Sequence, residues 1–418
     1  MIDALKSVLK IEELRRKIIF TVTMILVFRI GVHIPVPGID LQVIQELIAG
    51  GQLLGFFDII SGGAFANFSI FAMSITPYIN ASIIIQLLTV VVPALERLAK
   101  EGVEGRKKIV EYTRYLTVAL GFIQGIGISF GLRSALINPS FPNILLIALT
   151  LTAGTAFLMW LGELITEKGI GNGISLIIFS GIVSSLPGGV AAMAEYFRAG
   201  TIGVFTLLGF VIVGAVVIVA IIAVNEGQRR IPVHYAKRVV GRKVYGGQST
   251  HIPIKVNSAG VIPVIFAMSI MMFPGTIASW FPQNSFANAI ESFFNFTSVP
   301  YMVFYAMLIM FFTYFYSAIT FNPADVSANI KKNGGFIPGL RPGRPTTDYI
   351  TKVMNRITLA GAIFLAAIAV MPNILIALTA IPVYFGGTAL LIVVGVALDT
   401  MKQLESSLLM RHYEGFMK

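Results

Sequence analysis

Along this chain, apolar runs of about twenty residues alternate with short polar clusters, and the pattern persists from residue 18 to residue 398. A helix rises 1.5 Å per residue, so about twenty mostly apolar residues cross the roughly 30 Å hydrocarbon layer of a bilayer. Ten stretches meet that length, near 18–36, 70–92, 112–132, 144–165, 174–195, 204–224, 258–280, 301–321, 354–372 and 374–398. The stretch just before the second of them breaks the pattern. Residues 56–88 read FFDIISGGAFANFSIFAMSITPYINASIIIQLL, apolar overall but interrupted by Ser61, Gly62, Gly63, Asn67 and Ser69. Glycine costs about 1 kcal/mol in a helix interior, and irregular backbone at membrane depth persists only where protein or a water-filled cavity satisfies it. The pattern therefore predicts a short half-helix at about 54–68 beside a cavity, followed by a full span.

Composition places the whole chain in the bilayer. Of 418 residues, 56% are hydrophobic and 12% charged, with a mean hydropathy of +0.83, against about 25% charged in soluble domains. Because the apolar runs recur to residue 398, the first reads as a span and not as a removable signal. The absence of cysteine excludes disulfides, thiolate metal sites and cysteine nucleophiles. His33, His234, His251 and His412 are scattered, so no metal centre is expected.

Charge sets the orientation, since cytoplasmic loops retain an excess of Lys and Arg. All but Arg29, Arg133 and Arg198 of the 31 basic residues fall in the N-terminus, 93–114, 165–173, 225–256, 323–356 and the tail. Both termini are then cytoplasmic, which demands an even number of spans and agrees with ten. Five spans precede residue 200 and five follow it, so the halves 1–200 and 201–418 run in opposite orientations, the arrangement of inverted repeats around a mid-membrane site. No convincing sequence repeat accompanies the inversion. The fold class expected is an all-α polytopic membrane protein, with ten helices in two inverted five-helix halves around a central pore.

Most of the net charge of +11 belongs to topology. Two loops carry more basic residues than orientation needs. Residues 225–256 hold Arg229, Arg230, Lys237, Arg238, Arg242, Lys243 and Lys255 against Glu226 alone, with alternation and a Gly246-Gly247 turn that suggest a hairpin. Residues 323–353 form a second protrusion with a rigid tip from Arg341 to Pro345. Such loops serve as solvated spacers, as contacts for anionic lipid at about 1 kcal/mol per basic residue, or as a platform for a large anionic partner such as ribosomal RNA or for a soluble motor.

Local chemistry is sparse. Nothing matches the P-loop pattern, and Gly169-Ile170-Gly171-Asn172-Gly173 follows an apolar helix, so it reads as a tight interhelical turn. Glu163 and Asp399 sit at span ends, and snorkelling accounts for Arg29, the one charge well inside a span. Ile79 and Ile83, like Ile174 and Ile178, lie four apart on one helix face, a pattern more common in lipid-facing and packing residues than in pores. A secondary transporter with a solute site at the broken helix is the rival reading, but it calls for a polar midplane site and only ordinary Ser, Thr and Asn are present. A membrane enzyme lacks clustered His, Asp, Glu or Cys.

Five segments resemble the bacterial SecY family, the channel subunits of the general protein-translocation system. They are SGG with PYINASIIIQLLTVVVP, ITEKGIGNGISLIIFSGIV, GQRRIPVHYAKR through QSTHIPIKVNSAGVIPVIFA, FNPADVSANIKKNGGFIPGLRPG, and YFGGTALLIVVGVALD, in that order over nearly the whole chain. The resemblance implies a non-enzymatic, multi-pass protein of the cytoplasmic membrane that needs no cofactor. It would conduct unfolded secretory polypeptides outward and release transmembrane segments sideways, driven by a partner. Ile79, Ile83, Ile174, Ile178, Ile265 and Ile392 match the aliphatic ring that constricts the pore. The half-helix with Phe57, Ser61, Gly62, Gly63 and Phe65 matches the plug, whose movable part runs to about Ser69. The second and third spans face the seventh and eighth across a lateral gate. Arg229, Arg230, Lys237, Arg238, Arg242, Lys243 and Arg341 fall where the family binds the ribosome or the SecA ATPase, with Arg341 tied to motor-driven transport. SecE and SecG subunits, signal sequences, nascent chains and anionic lipids complete the implied partners.

Overall fold

A computed structural model of the protein describes residues 11–50, 58, 61–235, 238–240, 243–245, 249–279, 293, 298–379 and 387–415. Each of the ten apolar stretches overlaps a long helix of its own among them, the tenth only from residue 387 onward. In chain order these are α1 (Glu12–Gly31), α3 (Thr76–Val91), α5 (Val103–Gly131), α6 (Phe141–Lys168), α7 (Gly173–Arg198), α8 (Val204–Glu226), α9 (Ile262–Ser279), α10 (Val299–Thr320), α12 (Arg344–Thr379) and α13 (Gly387–Gly415). The shorter α2 (Leu41–Gly50), α4 (Pro93–Lys100) and α11 (Pro323–Lys332) lie between them. Among the described residues, six helices are long and apolar enough to cross a membrane, or seven if the bent pair α3 and α4 counts as one. Of the three others, α1 carries Glu12, Glu13, Arg15, Arg16, Lys17 and Arg29, α5 is diluted by Gln124 and by Gly121, Gly125, Gly127 and Gly131 beyond its charged opening, and α9 is apolar but short over Ile262–Met271.

The boundaries move where tertiary contacts outweigh local apolarity. The second span was expected from residue 70, yet the chain stays in turns until α3 begins at Thr76, with Phe68 at φ 35° and Ser74 at φ 51°. At its far end the chain turns by 99° into α4, a site where Pro93 at the start of α4 interrupts the hydrogen-bond ladder of α3. The break expected at residue 373, just after Pro372, is not where the ninth and tenth spans divide. Helix α12 runs through it to Thr379 and α13 starts at Gly387, because neighbouring helices tolerate a proline that apolar packing holds in place. Helices α5 and α12 also extend through residues expected to be loop. Ion pairs one turn apart, such as Lys107 to Glu104 at 2.9 Å, support the added turns of α5.

In chain order, helices α1 to α7 precede residue 200 and form the first sequence half, and α8 to α13 follow it and form the second. The halves pack together through α9 against α3 and α5, and through α7 against α13. One continuous apolar cluster draws Ile79, Leu158, Ile178, Ile265, Ile309, Leu365 and Ile392 from both halves. A second cluster, with Val36, Ile44, Phe65, Phe68, Leu136 and Ile147, lies at the end of α6 where that helix begins.

The two basic loops, expected as separate protrusions, are one body. Strands β1 (Gln228–Tyr235) and β4 (Ser249–Lys255) pair antiparallel, and β5 (Gly335–Phe336) from the second loop adds to the free edge of β1 in the order β4-β1-β5. Ile231 and Val233 alternate inward along β1 and meet Ile254, Ile330, Ile337 and Ile350 in a third small core. Strands β2 (Arg238–Val240) and β3 (Lys243–Tyr245) form a hairpin with Val240 opposite Lys243, so the chain reverses between those two residues and not at the expected Gly246-Gly247 turn, which lies outside the described residues.

Candidate functional site

Five of the six proposed constriction residues are buried members of the large cluster: Ile79 and Ile83 from α3, Ile178 from α7, Ile265 from α9 and Ile392 from α13. Ile174 is half-buried against the same cluster. Its Cδ1 fills the notch left by Gly162 of α6, where an added Cβ would lie 2.5 Å away, so its side chain is shared with the α6 face. The six therefore come together from four helices of both halves into one apolar mass. Side chains of this kind offer no fixed polar group to a solute, and a narrow passage lined by them excludes water and ions by dewetting.

The segment preceding α3 lies against this mass. Ala64 belongs to the large cluster, whereas Phe65 and Phe68 belong to the second, so a few residues bridge the two. Within the segment, Ala66 N–H donates to Asp58 Oδ1 at 2.7 Å and Gly63 N–H to the Asp58 carbonyl at 2.9 Å. Ser61 Oγ donates to the Asp58 carbonyl at 3.0 Å and accepts from Phe65 N–H at 3.1 Å. Burial raises the Asp58 carboxyl from its ordinary value, against the backbone N–H groups of Ala66 and Phe65 that favour its charged form. Phe57 lies outside the described residues.

Several contacts hold the segment to its surroundings. Arg29 Nη1 donates to the Gly62 carbonyl at 2.7 Å, which replaces the snorkelling expected for this arginine. Gly62 adopts φ +70°, and a Cβ on it would stand 2.6 Å from Gly181 Cα of α7, so glycine is what allows the two backbones to touch. Further on, Val36 N–H donates to the Phe68 carbonyl at 2.9 Å and Ile70 N–H to the Ile34 carbonyl at 3.0 Å. Gly154 of α6 lies directly under the Ile70 carbonyl. The tail of the segment is thus paired with residues 34–36 from Phe68 onward.

Arg229 and Arg230 are exposed on β1, and Arg341 is exposed at the tip of the second loop, where its carbonyl accepts from Thr346 Oγ1 at 2.9 Å. Arg238 and Lys243 fall in β2 and β3, while Lys237 and Arg242 lie outside the described residues. Helix α6 places this platform far from the second cluster. Its 28 residues span about 42 Å at 1.5 Å each. At its Lys168 end, Ile170 N–H donates to Thr21 Oγ1 at 3.0 Å and Gly171 N–H to Gln403 Oε1 at 2.7 Å. Lys402 pairs with Glu226, immediately before β1, at 2.7 Å. These contacts and that of Arg29 had no local signal, since the partners lie 33, 149, 232 and more than a hundred residues apart. Among the described residues, no group of three or more His, Asp or Glu is placed to hold a metal ion.

Comparison with known proteins bears on the whole arrangement. The SecY family model matches residues 69–401. A protein translocase subunit SecY of Halalkalibacterium halodurans is 49% identical over the full length of both chains. The same subunit of Escherichia coli is 48% identical, covering 97% of this chain and 94% of its own. In structure the chain is similar to a solved protein-conducting channel, with a TM-score of 0.69 at 18% identity over 94% of this chain and 92% of the other. It is also similar to a SecY channel whose plug domain is described as stabilising the closed state and maintaining a membrane seal, with a TM-score of 0.66 at 17% identity over the same shares. Sec61 from a canine ribosome–channel complex of the endoplasmic reticulum superposes with a TM-score of 0.63 at 16% identity, again over 94% and 92%. At such identities these structures speak to the fold, and the sequence relatives speak to descent. The chain belongs to the SecY family of protein translocase subunits.

Proposed function

We propose that this chain forms the protein-conducting channel of a bacterial cytoplasmic membrane, a passive conduit and not an enzyme. Unfolded secretory polypeptides pass between its halves, and sufficiently apolar segments leave sideways into lipid. The observation that carries the reading is the apolar mass built from Ile79, Ile83, Ile178, Ile265 and Ile392 of both halves, with the segment around Ala64 seated on it, in a SecY-family chain.

The finer topology belongs to the same proposal: ten spans, two inverted halves meeting near residue 200, and both termini in the cytoplasm. The six isoleucines line the constriction, and the segment containing Phe57, Ser61, Gly62, Gly63 and Phe65 closes it from the outer side. A seal of this kind matters because one charge crossing 100 mV is worth about 2.3 kcal/mol. Sideways release needs no chemistry in the channel, since each Leu, Ile, Phe or Val gains about 0.3–0.6 kcal/mol on reaching lipid. The packing of α9 against α3 and α5 supports this seam as the gate, because among the described residues it is a main contact between the halves.

Partners follow from charge and family. The joined β4-β1-β5 platform with Arg229, Arg230 and Arg341 docks the ribosome or the SecA ATPase, and Lys237, Arg238, Arg242 and Lys243 extend it. SecE and SecG bind the membrane-embedded body, and anionic lipids surround it. Reconstitution into proteoliposomes with these subunits and the motor tests the function. The protease-protected fraction of an unfolded, signal-bearing precursor should rise with ATP, and protection of a precursor without a signal to the same extent would contradict it.

A further inference from the structure

Arg29 is a charged side chain inside a span, and among the described residues no carboxylate forms an ion pair with it. Its guanidinium instead meets a single peptide, through the 2.7 Å bond from Nη1 to the Gly62 carbonyl. That peptide also touches α7, since a Cβ on Gly62 would stand 2.6 Å from Gly181 Cα and 3.0 Å from Arg29 Nη1. Three elements converge there: α1, the segment before α3, and α7. The bonds among Asp58, Ser61, Gly63, Phe65 and Ala66 are internal to the segment and travel with it. The Arg29 bond joins the segment to the wall and must break if the segment leaves. Placing a guanidinium at this depth costs solvation, which a carbonyl acceptor offsets in part.

We propose that Arg29 is a positioning residue for the closed channel: it clasps the Gly62 carbonyl and holds residues 61–67 on the Gly181 surface of α7. The proposal rests on the reading of that segment as a plug. A hydrogen bond from a charged donor shifts an equilibrium by roughly tenfold to a hundredfold, so loss of the clasp raises the unseated population by about that factor. Gly62 contributes through its shape, because a side chain there would push the carbonyl off both neighbours.

The test uses the assembled channel in planar bilayers and reads resting ion conductance for Arg29→Leu, Arg29→Lys, Gly62→Ala, the Arg29→Leu/Gly62→Ala double variant, and a deletion of residues 58–67. Because the chain has no cysteine, Ala66→Cys adds a unique reporter whose modification by a membrane-impermeant thiol reagent follows unseating. Arg29→Leu is expected to raise both conductance and labelling about tenfold or more, with Arg29→Lys intermediate and the double variant no worse than the stronger single. Leak from the deletion without leak or faster labelling from Arg29→Leu overturns the clasp and leaves the plug. Leak from Arg29→Leu without leak from the deletion also overturns the clasp, because the arginine then acts elsewhere. No leak from either overturns both readings. An Arg29→Leu channel that fails to assemble shifts the decision to Arg29→Lys and Gly62→Ala, and wild-type labelling in both of those overturns the clasp.

Discussion

A branched aliphatic side chain at a constriction keeps water out of the closed pore and yields to a passing chain, and both properties depend on where its methyl groups lie. Ile178, Ile265 and Ile392 are buried in the cluster shared by the two halves, whereas Ile174 spends its Cδ1 in the Gly162 notch of α6. Glycine at Ile178, Ile265 or Ile392 should therefore raise resting conductance in bilayers more than glycine at Ile174, and equal leak at all four positions would place Ile174 fully in the constriction. Each buried change also forfeits about 2–5 kcal/mol of packing, so assembly needs to be checked alongside conductance. Strain belongs to this scale as well. Phe68 and Ser74 hold left-handed backbone at about 1–3 kcal/mol each, fastened by the pairing of residues 34–36 with 68–70. At the other end of the molecule, Arg341 is exposed at a rigid tip. Arg341→Glu should impair motor-driven transport more than insertion of the channel into membrane, and wild-type transport by that variant would remove the arginine from motor docking.

Secondary elements were legible where a pattern is local and hidden where it is not. Twenty-residue runs of Leu, Ile, Val and Phe announce helices by themselves, and alternation in RRIPVHY announces β1. The pairing of Tyr235 with Gly335 across a hundred residues had no such signal, so two basic loops looked separate that in fact share Ile231, Val233, Ile254, Ile330, Ile337 and Ile350. The same reason explains the late start of α3, because Phe68, Phe71 and Ser74 are apolar or small enough for a helix and are diverted by contacts with α1 and α6. The stacking of Phe71 between Phe28 and Phe157, at centroid distances of 6.0 and 5.8 Å, is one of those contacts. Arg29 could be seen as an anomaly in sequence, but its acceptor lies on a backbone carbonyl that no side-chain pattern records. A prediction belongs to the shared platform: Ile231→Ala or Ile350→Ala should cost about 2–5 kcal/mol in its small core and weaken partner binding. Resting conductance should stay at the wild-type level, and a leak of the same size as that from Ile178→Gly would contradict the separation of platform from pore.

At the scale of the molecule, the halves meet along two seams, α9 with α3 and α5 on one and α7 with α13 on the other. A seam of two helix pairs opens at less cost than a wide interface, and a gate requires that. The contact from Gly171 to Gln403 ties the seam between α7 and α13 at the end bearing the platform, and the ion pair of Glu226 with Lys402 ties α8 to α13 within the second half. Ribosome binding at the platform should be salt-dependent through counterion release. With about six phosphates neutralised, affinity falls roughly a thousandfold between about 50 and 200 mM salt, and a flat salt response would argue for a partner recognised by shape. The central claim is that a polypeptide passes through the apolar mass between the halves, and it is tested most directly by a translocating chain stalled in the channel. With cysteine introduced singly as Ile79→Cys, Ile178→Cys, Ile265→Cys and Ile392→Cys in a chain that has none of its own, the account predicts disulfide adducts between the stalled chain and all four positions. A stalled, protease-protected chain that forms adducts at none of them would contradict it.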